Sequence, residues 1–287
     1  MNMFSQVCIF VPKHRVMRIM KRILCFLILL LAFVSDSSVV KAQQDDRSYK
    51  LVFCDEFNQE NGSQPDSSKW SRCIRYNAGW NRWISNSKDV VFIKNGQLVC
   101  RAIPNKKLVA DTAKMLTGAI ETRGKYSFRY GKVEVRMKTS NRQGNFPAAW
   151  MKPEVIDPQR YAELDIVETF GDLGIAQHAV HNHLTTILKK KGPTFMFRTH
   201  VNVKKWHVYG VEWTPDYILY TIDGKTTGYY QKSDDRKMLA DGQWTFDRPF
   251  FLILNQSVGD GSYESMIPQE NATYETRFDW IRVYQKQ

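Results

Sequence analysis

Short segments that alternate apolar and polar residues recur throughout the sequence after residue 43, separated by Gly, Asn, Asp and Pro. Such alternation is typical of half-buried β-strands, and helical periodicity is almost absent here. Asp223-Gly224, between two strand-forming runs, indicates a two-residue hairpin turn. Many short strands without crossover helices predict an all-β antiparallel sandwich or barrel, in one domain from about residue 47. The clearest segments are KYSFRYGKVEVRMKT (125–139), DYILYTIDGKTTGYY (216–230), RPFFLILNQSV (248–258) and RFDWIRVYQ (277–285).

The N-terminal residues have the features of a secretory signal peptide. Lys21 and Arg22 precede an apolar run at 23–34, and a polar stretch with small residues ends at Ala42. The apolar run is too short to span a bilayer as a permanent helix. We therefore assign residues 1–42 to an N-terminal extension and signal peptide, and expect a secreted or periplasmic protein with no membrane span after cleavage. An uncleaved membrane anchor is the alternative.

The charge of the chain is moderately positive once this segment is set aside. The net charge is +12 for the full sequence, and residues 1–42 carry six Lys and Arg against one acid, so residues 43–287 retain +7. Such a charge attracts acidic polymers weakly. No helix-turn-helix, zinc-finger or similar module accompanies it, so we expect no nucleic-acid partner.

The exported part contains three cysteines, Cys54, Cys73 and Cys100. This odd number, without a CxxC pair or metal-ligand spacing, allows one disulfide but no disulfide framework. Core packing is the more typical role for such cysteines.

The stretch AELDIVETFGD, residues 162–172, places acidic residues inside an apolar run. As a helix it would mix Glu with Ile and Val on one face, without a convincing cap, so a strand is favoured. Glu163 and Asp165 then face one side of the sheet, and Glu168 would face the other. A single β-bulge at Val167 restores the parity, because the extra residue turns Glu168 back beside the other two.

Three carboxylates on one face of a strand suggest acid–base chemistry. With the bulge, the Cα atoms of Glu163 and Glu168 would lie about 13 Å apart. Side chains that lean together could bring the carboxyls within about 5–5.5 Å, the separation used by retaining glycosidases. Asp165 lies between them, and three close carboxyls should raise at least one pKa, as a general acid requires. Calcium binding and simple solvent exposure are the alternatives for an acidic strand.

The Glu-x-Asp-x-x-Glu pattern, on a strand after GNFPAAWM, resembles the active-site motif of glycoside hydrolase family 16. Further segments resemble that family in the expected order over nearly all of residues 43–287, which we assign to a single catalytic domain. The resemblance implies a β-jelly-roll sandwich with an open substrate cleft on the concave sheet, retaining cleavage of internal β-linkages, and no organic cofactor. It also implies that Glu163 is the nucleophile, Glu168 the acid/base and Asp165 an assisting carboxylate. The five-residue spacing matches the bulged branch of laminarinases, agarases, carrageenases and porphyranases.

Substrate-binding residues are predicted partly from this resemblance and partly from position. Trp80 and Trp83 lie in a loop otherwise rich in Asn and Arg, and we predict that they face a sugar ring, with core packing as the alternative. Trp206, Trp213 and Trp280 lie within or beside strands, and we expect them in the core. The resemblance implies cleft positions for Trp150, His181, Asn255, Gln256 and Arg123.

Two features bear on metals. The histidines in HAVHNH (178–183) lack a matching acid or cysteine spacing, which argues against a catalytic zinc. In some members of the family the aspartate that matches Asp279 binds a structural calcium with backbone carbonyls near a turn such as Asn95-Gly96. A salt bridge to Asp279 is the alternative.

The sequence therefore predicts a secreted, monomeric, endo-acting retaining β-glycoside hydrolase of a polysaccharide or glycan, most simply a β-1,3- or β-1,3/1,4-glucan. Ala119 stands where many members of the family carry an arginine, and the GWNRW loop (79–83) is unusual. Galactans or poly-lactosamine mucin glycans are therefore alternative substrates. A transglycosylase would use the same residues, and a non-catalytic sugar-binding jelly roll would have no reason to keep all three carboxylates.

Overall fold

The computed structural model describes residues 48–269 and 271–287, and the predicted extension and signal peptide at residues 1–42 lie outside them. Residues Tyr49–Gln287 form one compact unit. The described part is built almost entirely from strands, all paired antiparallel with their neighbours. The strands are β1 (Tyr49–Asp55), β2 (Ser71–Arg72), β3 (Val91–Ile93), β4 (Leu98–Pro104), β5 (Met115–Glu121), β6 (Gly131–Thr139), β7 (Asn145–Pro153), β8 (Ala162–Thr169), β9 (Ile175–Asn182), β10 (Met196–His200), β11 (His207–Trp213), β12 (Tyr217–Ile222), β13 (Lys225–Gln231), β14 (Phe250–Val258) and β15 (Tyr274–Lys286).

Helical structure in the described residues is limited to single turns. They are an α-helix α1 (Arg236–Ala240), a π-helical turn (His183–Ile187) and two 3₁₀ turns (Pro158–Arg160 and Glu264–Met266). None of these helices is long and apolar enough to cross a membrane.

The strands form two layers. The first sheet has the order β10-β9-β8-β7-β14-β5, and the second has the order β4-β15-β6-β11-β12-β13, with β1 added on β15 and β3 on β4. Strand β5 connects the layers, because Met115–Thr117 pairs with β4 whereas Gly118–Glu121 pairs with β14. This antiparallel sandwich confirms the predicted fold class.

The main core lies between the two sheets and contains large buried side chains from both, such as Trp213, Tyr209, Phe250 and Phe278. A second, smaller cluster lies on the outer face of the first sheet, where residues 73–86 cover part of β7, β14 and β5. As a result β14 is buried on both faces along its whole length. Alternation therefore fails in RPFFLILNQSV for a physical reason: both faces of this strand are covered.

Local sequence signals are confirmed at the hairpin and at the cysteines. Asp223 and Gly224 both have positive φ, 50° and 75°, as a two-residue turn between β12 and β13 requires. Cys54, Cys73 and Cys100 are free thiols, and the last two are buried. Burial raises the pKa of Cys100 to about 12, which keeps it an unreactive packing group.

Candidate active site

Strand β8 contains the predicted bulge. Glu168 lies opposite Ala148 of β7 and Asp165 lies opposite Trp150, so three steps along β8 match two along β7. The same shift appears against β9. The extra residue belongs to the pair Ile166–Val167, because these two residues occupy the shifted part of the register.

The bulge places all three carboxyl side chains on the outer face of the first sheet. Asp165 is 3% exposed, whereas Glu163 and Glu168 are partly open to solvent. The apolar residues between them lie in the main core: Leu164, Ile166 and Val167. The alternation and the bulge together therefore place the carboxyl side chains on the outer face and the apolar side chains in the main core.

Glu163 is held by several donors. The Tyr161 hydroxyl donates a 3.0 Å hydrogen bond to Glu163 Oε2, and Lys152 Nζ lies 3.4 Å from the same oxygen. Burial and the nearby charge of Asp165 raise the pKa of Glu163, while Lys152, His181 and Tyr161 oppose that rise. These donors favour the ionised form, which is the form that can act as a nucleophile.

Asp165 faces a histidine from β9. His181 Nε2 lies 3.1 Å from Asp165 Oδ2 and 4.0 Å from Glu163 Oε1. Burial lowers the pKa of His181, but its contact with Asp165 and the charges of Glu163 and Glu168 outweigh burial and raise this pKa to about 9. At neutral pH His181 is therefore a cation that offsets part of the negative charge of the acidic cluster.

This cluster is also the one place in residues 48–269 and 271–287 where donor atoms are close enough for a metal ion. The ligand atoms of Glu163, Asp165 and His181 lie within 4.8 Å of one another. A metal at this place would have to displace the proton of His181, whose pKa is raised to about 9. The neighbouring ammonium of Lys152 further disfavours a cation here.

Glu168 has the most perturbed carboxyl of the group. Burial, followed by the charges of Asp165 and Glu163, raises the pKa of Glu168 well above its usual range, and His181 and Gln177 only partly oppose this. Gln177 Nε2 donates a 3.2 Å hydrogen bond to Glu168 Oε2. Two glutamates on one face, one held by cationic and hydroxyl donors and the other with a raised pKa, can serve as nucleophile and general acid.

Trp150 and Asn255 lie on the same outer face and contact each other. Trp150 Nε1 donates a 2.8 Å hydrogen bond to Asn255 Oδ1, and Asn255 Nδ2 donates to Ser257 Oγ at 3.0 Å. Trp150 is only 4% exposed, because Trp80 packs edge-on against it at 4.8 Å between ring centroids. Of these two indoles, half-buried Trp80 is therefore the one more accessible to a sugar ring, and Trp150 forms the floor beneath it.

The prediction that Gln256 lines the cleft is wrong. Its side chain points between the sheets, where it is 0% exposed and accepts a 2.6 Å hydrogen bond from Thr276 Oγ1. Its amide also donates to Asn145 Oδ1 at 3.0 Å. Strand alternation explains the error, because neighbours Asn255 and Gln256 must face opposite sides of β14.

Two further residues that were predicted to bind substrate, Trp83 and Arg123, lie in different surroundings. Trp83 packs beneath a small cluster that contains Val258 and Tyr274, with the Arg82 guanidinium 4.4 Å from its ring, as the core-packing alternative implied. Arg123 is exposed, and its guanidinium lies 5.6 Å from the ring of Phe251, a residue of the outer-face cluster. Arg123 thus lies at the border of this face.

Trp213 lies in the core as expected, whereas Trp206 and Trp280 do not. Trp213 is 1% exposed in the main core. Trp206 is half-buried on the second sheet, with Arg136 and Lys138 at 4.9 and 4.8 Å from its ring. Trp280 is covered by Arg282 at 4.1 Å. Cationic side chains, whose stems cover apolar rings, replace core packing at these two sites.

Asp279 lies where the register of β15 shifts against β6, and it forms an ion pair with Arg136. This is the salt bridge that the sequence left as the alternative to calcium.

Three residues of the site were missed by sequence reasoning: Lys152, Tyr161 and Gln177. Each carries a positional signal that could have identified it. Lys152 and Tyr161 lie two residues from Trp150 and Glu163 respectively, so they share the outer face. Gln177 is the β9 partner of Glu168 in the ladder, which becomes visible only once the bulge fixes the register.

Two glutamates on one face, one of them with a raised pKa, are the kind of catalytic pair that most glycoside hydrolases use. The model of the glycosyl hydrolases family 16 matches residues 83–282. The chain belongs to glycoside hydrolase family 16.

Individual relatives differ in what they act on. The chain is 30% identical over 240 residues to a keratan-sulfate endo-1,4-β-galactosidase of Sphingobacterium multivorum, covering 82% of this chain and 55% of the relative. It is 28% identical over 284 residues to a β-glucanase of Rhodothermus marinus, covering 89% and 92%. Among solved structures, a non-specific endo-β-1,3(4)-glucanase of the family is similar with a TM-score of 0.73 and 26% identity, covering 84% of this chain and 92% of that one. The chain thus spans about half the length of the galactosidase relative and most of the length of the two glucanases.

Proposed function

We propose that this protein is an exported, endo-acting retaining β-glycosidase. The observation that carries the proposal is the bulge at Ile166–Val167, which brings Glu163, Asp165 and Glu168 to one face while burial and mutual charge raise the pKa of Glu168. A sugar-binding module has no need for a carboxyl of raised pKa beside another carboxyl held by Tyr161. A hydrolase needs both.

The reaction proceeds in two displacements. Glu163 attacks the anomeric carbon, and the bond to the glycosidic oxygen breaks as Glu168 transfers its proton to that oxygen. Glu168, now a carboxylate, takes a proton from water as the water oxygen attacks the anomeric carbon and releases Glu163. Configuration is retained because the anomeric carbon is inverted twice. No organic cofactor takes part.

The surrounding residues support these steps. Tyr161 and Lys152 orient Glu163 for attack. Protonated His181 beside Asp165 limits the repulsion that follows when Glu168 loses its proton. Because Asp165 is almost fully buried, its charge acts on both glutamates with little screening by water.

For the substrate we propose a β-1,3- or β-1,3/1,4-glucan, which accords with the glucanases of similar sequence and fold. A galactose-containing chain of the poly-lactosamine type is a second candidate. It is favoured by the 30% identity to the keratan-sulfate endo-galactosidase, and by Ala119, which is buried in the same outer-face cluster as Trp150 and stands where many members of the family carry an arginine.

A product profile tests the proposal. Purified protein is incubated separately with laminarin, mixed-linkage β-glucan, agarose, keratan sulfate and mucin glycans, and the products are separated by size and identified by mass. Short oligosaccharides from one class are expected, with none from the Glu163→Gln variant. Release from no polymer, together with binding to one, would contradict the hydrolase and favour a lectin. When an oligosaccharide of the cleaved polymer is then supplied as substrate, products longer than that oligosaccharide would identify a transglycosylase.

Three further features are part of the proposal. Export with cleavage after Ala42 predicts that the protein recovered outside the cytoplasm begins at Gln43, as N-terminal sequencing would show. A structural calcium bound by Asp279 predicts a lower Tm after treatment with EDTA, whereas the ion pair with Arg136 alone predicts no change. A monomer is expected to elute at the mass of one chain.

A further inference from the structure

Three side chains on neighbouring strands of the first sheet form a hydrogen-bonded row: Glu168 of β8, Gln177 of β9 and Arg198 of β10. Gln177 of β9 is the ladder partner of Glu168, and Arg198 of β10 is the ladder partner of Gln177. Arg198 Nε donates a 2.7 Å hydrogen bond to Gln177 Oε1, and Gln177 Nε2 donates a 3.2 Å hydrogen bond to Glu168 Oε2. Gln177 is 4% exposed, whereas Arg198 lies exposed on the edge strand.

The direction of this row is fixed by chemistry. A guanidinium group only donates hydrogen bonds, so it binds the oxygen end of the Gln177 amide. The NH₂ end of that amide must then face Glu168. Without Arg198 the buried amide could rotate by half a turn and present its oxygen to the carboxyl instead.

We propose that Arg198, acting through Gln177, is a positioning residue that determines which oxygen of Glu168 carries the catalytic proton. Oε2 accepts the amide hydrogen bond and remains the carbonyl-type oxygen, so the proton resides on Oε1. This inference rests on the proposed role of Glu168 as acid/base. It assigns a function to an exposed residue on a strand that carries none of the three carboxylates.

The other groups around Glu168 do not substitute for this row. Asp165 and Glu163 on β8 are acceptors, and they raise the pKa of Glu168. His181 on β9 approaches Asp165 and Glu163. The hydroxyl of Tyr220 on β12 donates to the Ala179 carbonyl. Burial raises the pKa of Tyr263, in the loop after β14, and the charges of Arg198, Asp260 and Glu168 affect it to a smaller extent. Among the described side chains, Gln177 is the one that donates a hydrogen bond to Glu168.

The test measures the ionisation of Glu168, which the orientation of the Gln177 amide is expected to control. Protein labelled with ¹³C at the glutamate carboxyl carbons is titrated by NMR, and the resonance of Glu168 is assigned as the one lost in Glu168→Gln. Four proteins are compared with the wild type: Gln177→Met, Arg198→Met, the double variant, and Arg198→Lys. Arg236→Met removes an exposed cation from α1 and is the matched control.

Gln177→Met removes the donor to the ionised carboxylate, and Arg198→Met allows the Gln177 amide to turn its oxygen towards Glu168, so each variant is expected to raise the pKa of Glu168. The double variant should titrate like Gln177→Met, since Arg198 acts only through the amide. Arg198→Lys should restore most of the wild-type titration, and Arg236→Met should match the wild type. On the polymer cleaved in the product profile, kcat should fall roughly tenfold in Arg198→Met with little change in KM.

Two results would overturn the inference: an unchanged titration in Arg198→Met, or an equal further shift when Arg198→Met is added to Gln177→Met. The second would show that the arginine acts by its charge alone. Because Arg198 is exposed, its variant should fold even if Gln177→Met does not. Turnover that survives in Glu168→Gln would contradict the proposed function, and the NMR result would still decide the role of the row.

Discussion

Trp150 lies directly opposite Asp165 across the β7–β8 ladder, although the preceding residue of β7, Ala149, lies opposite Val167. One residue of β8 is therefore left over, and the parity of the strand changes between Asp165 and Glu168. The indole and the three carboxyls consequently occupy the same face. Every catalytic role proposed above depends on this one irregularity.

Deletion of Val167 should leave measurable activity. Without it the strand reads ELDIE, and regular alternation places Glu163, Asp165 and Glu168 on one face without a bulge. Loss of the buried valine side chain should cost about 1.5–3 kcal/mol of stability. Turnover per folded protein, with folding checked by near-UV circular dichroism, measures the outcome.

Deletion of Leu164 is the matched control, because it also removes one buried apolar residue of β8 but moves Glu163 to the opposite face from Asp165. This variant should be inactive. Equal turnover in the two deletions would mean that the shared face of the carboxyls is not required.

Azide should distinguish the roles of the two glutamates. Glu163→Ala should lose at least about 10⁴-fold in turnover, and Glu168→Ala about 10²–10⁴-fold with an unactivated leaving group. With a dinitrophenyl oligosaccharide, azide can enter the space of the missing carboxylate. In Glu168→Ala it would attack the glycosyl-enzyme and give a β-glycosyl azide, and in Glu163→Ala it would attack directly and give the α-product. Nuclear magnetic resonance of the anomeric proton identifies each product, and the reverse assignment would exchange the two roles.

Glu168→Gln should make the protein more stable at neutral pH while it removes activity. The fold raises the pKa of Glu168, so between about pH 4.5 and that pKa the unfolded chain releases a proton that the folded protein keeps. Stability of the wild type therefore falls as pH rises through this window, by up to about 1.4 kcal/mol per pH unit. Glu168→Gln has no carboxyl group at this position, so its stability does not show this decrease with pH.

Urea unfolding at pH 4.5, 6 and 7.5 should show a difference in unfolding free energy between Glu168→Gln and the wild type that grows with pH. His181 remains in both proteins. Its contribution to stability is present below about pH 6.5 and is lost as pH rises through about 9, so in this series it changes only between pH 6 and pH 7.5. A difference that is constant with pH would show that Glu168 ionises normally in the folded protein.

The sequence predicted the sandwich, the hairpin at Asp223-Gly224 and the bulge because each rests on local information: alternation, turn chemistry and the parity of acidic residues. It could not reveal which partners lie across the sheet. Gln177 and Arg198 enter the site through ladder register alone, and register depends on pairings that no single strand encodes.

The wrong predictions also concern contacts that a single strand does not encode. Trp206 and Trp280 were expected in the core because tryptophans near strands usually pack there, but cationic residues of the second sheet cover them instead. Gln256 was placed beside Asn255 by resemblance, although neighbouring residues of a strand face opposite ways. In β14 both faces are buried, so hydrophobicity gave no indication of which residue faces the cleft.

The pair Asn255 and Gln256 provides a prediction that separates the two faces of β14. Asn255→Ala leaves the buried Trp150 Nε1–H without its acceptor, which should cost about 1–3 kcal/mol and let the indole shift beneath Trp80. KM should rise together with the loss of stability.

Gln256→Ala breaks the bonds to Asn145 and Thr276 between the sheets, so it should lower stability by a similar amount and leave KM unchanged. Urea unfolding and steady-state kinetics on the two variants measure both quantities. A rise in KM for Gln256→Ala equal to that for Asn255→Ala would show that the cleft responds to general loosening of β14 and not to the position of Trp150.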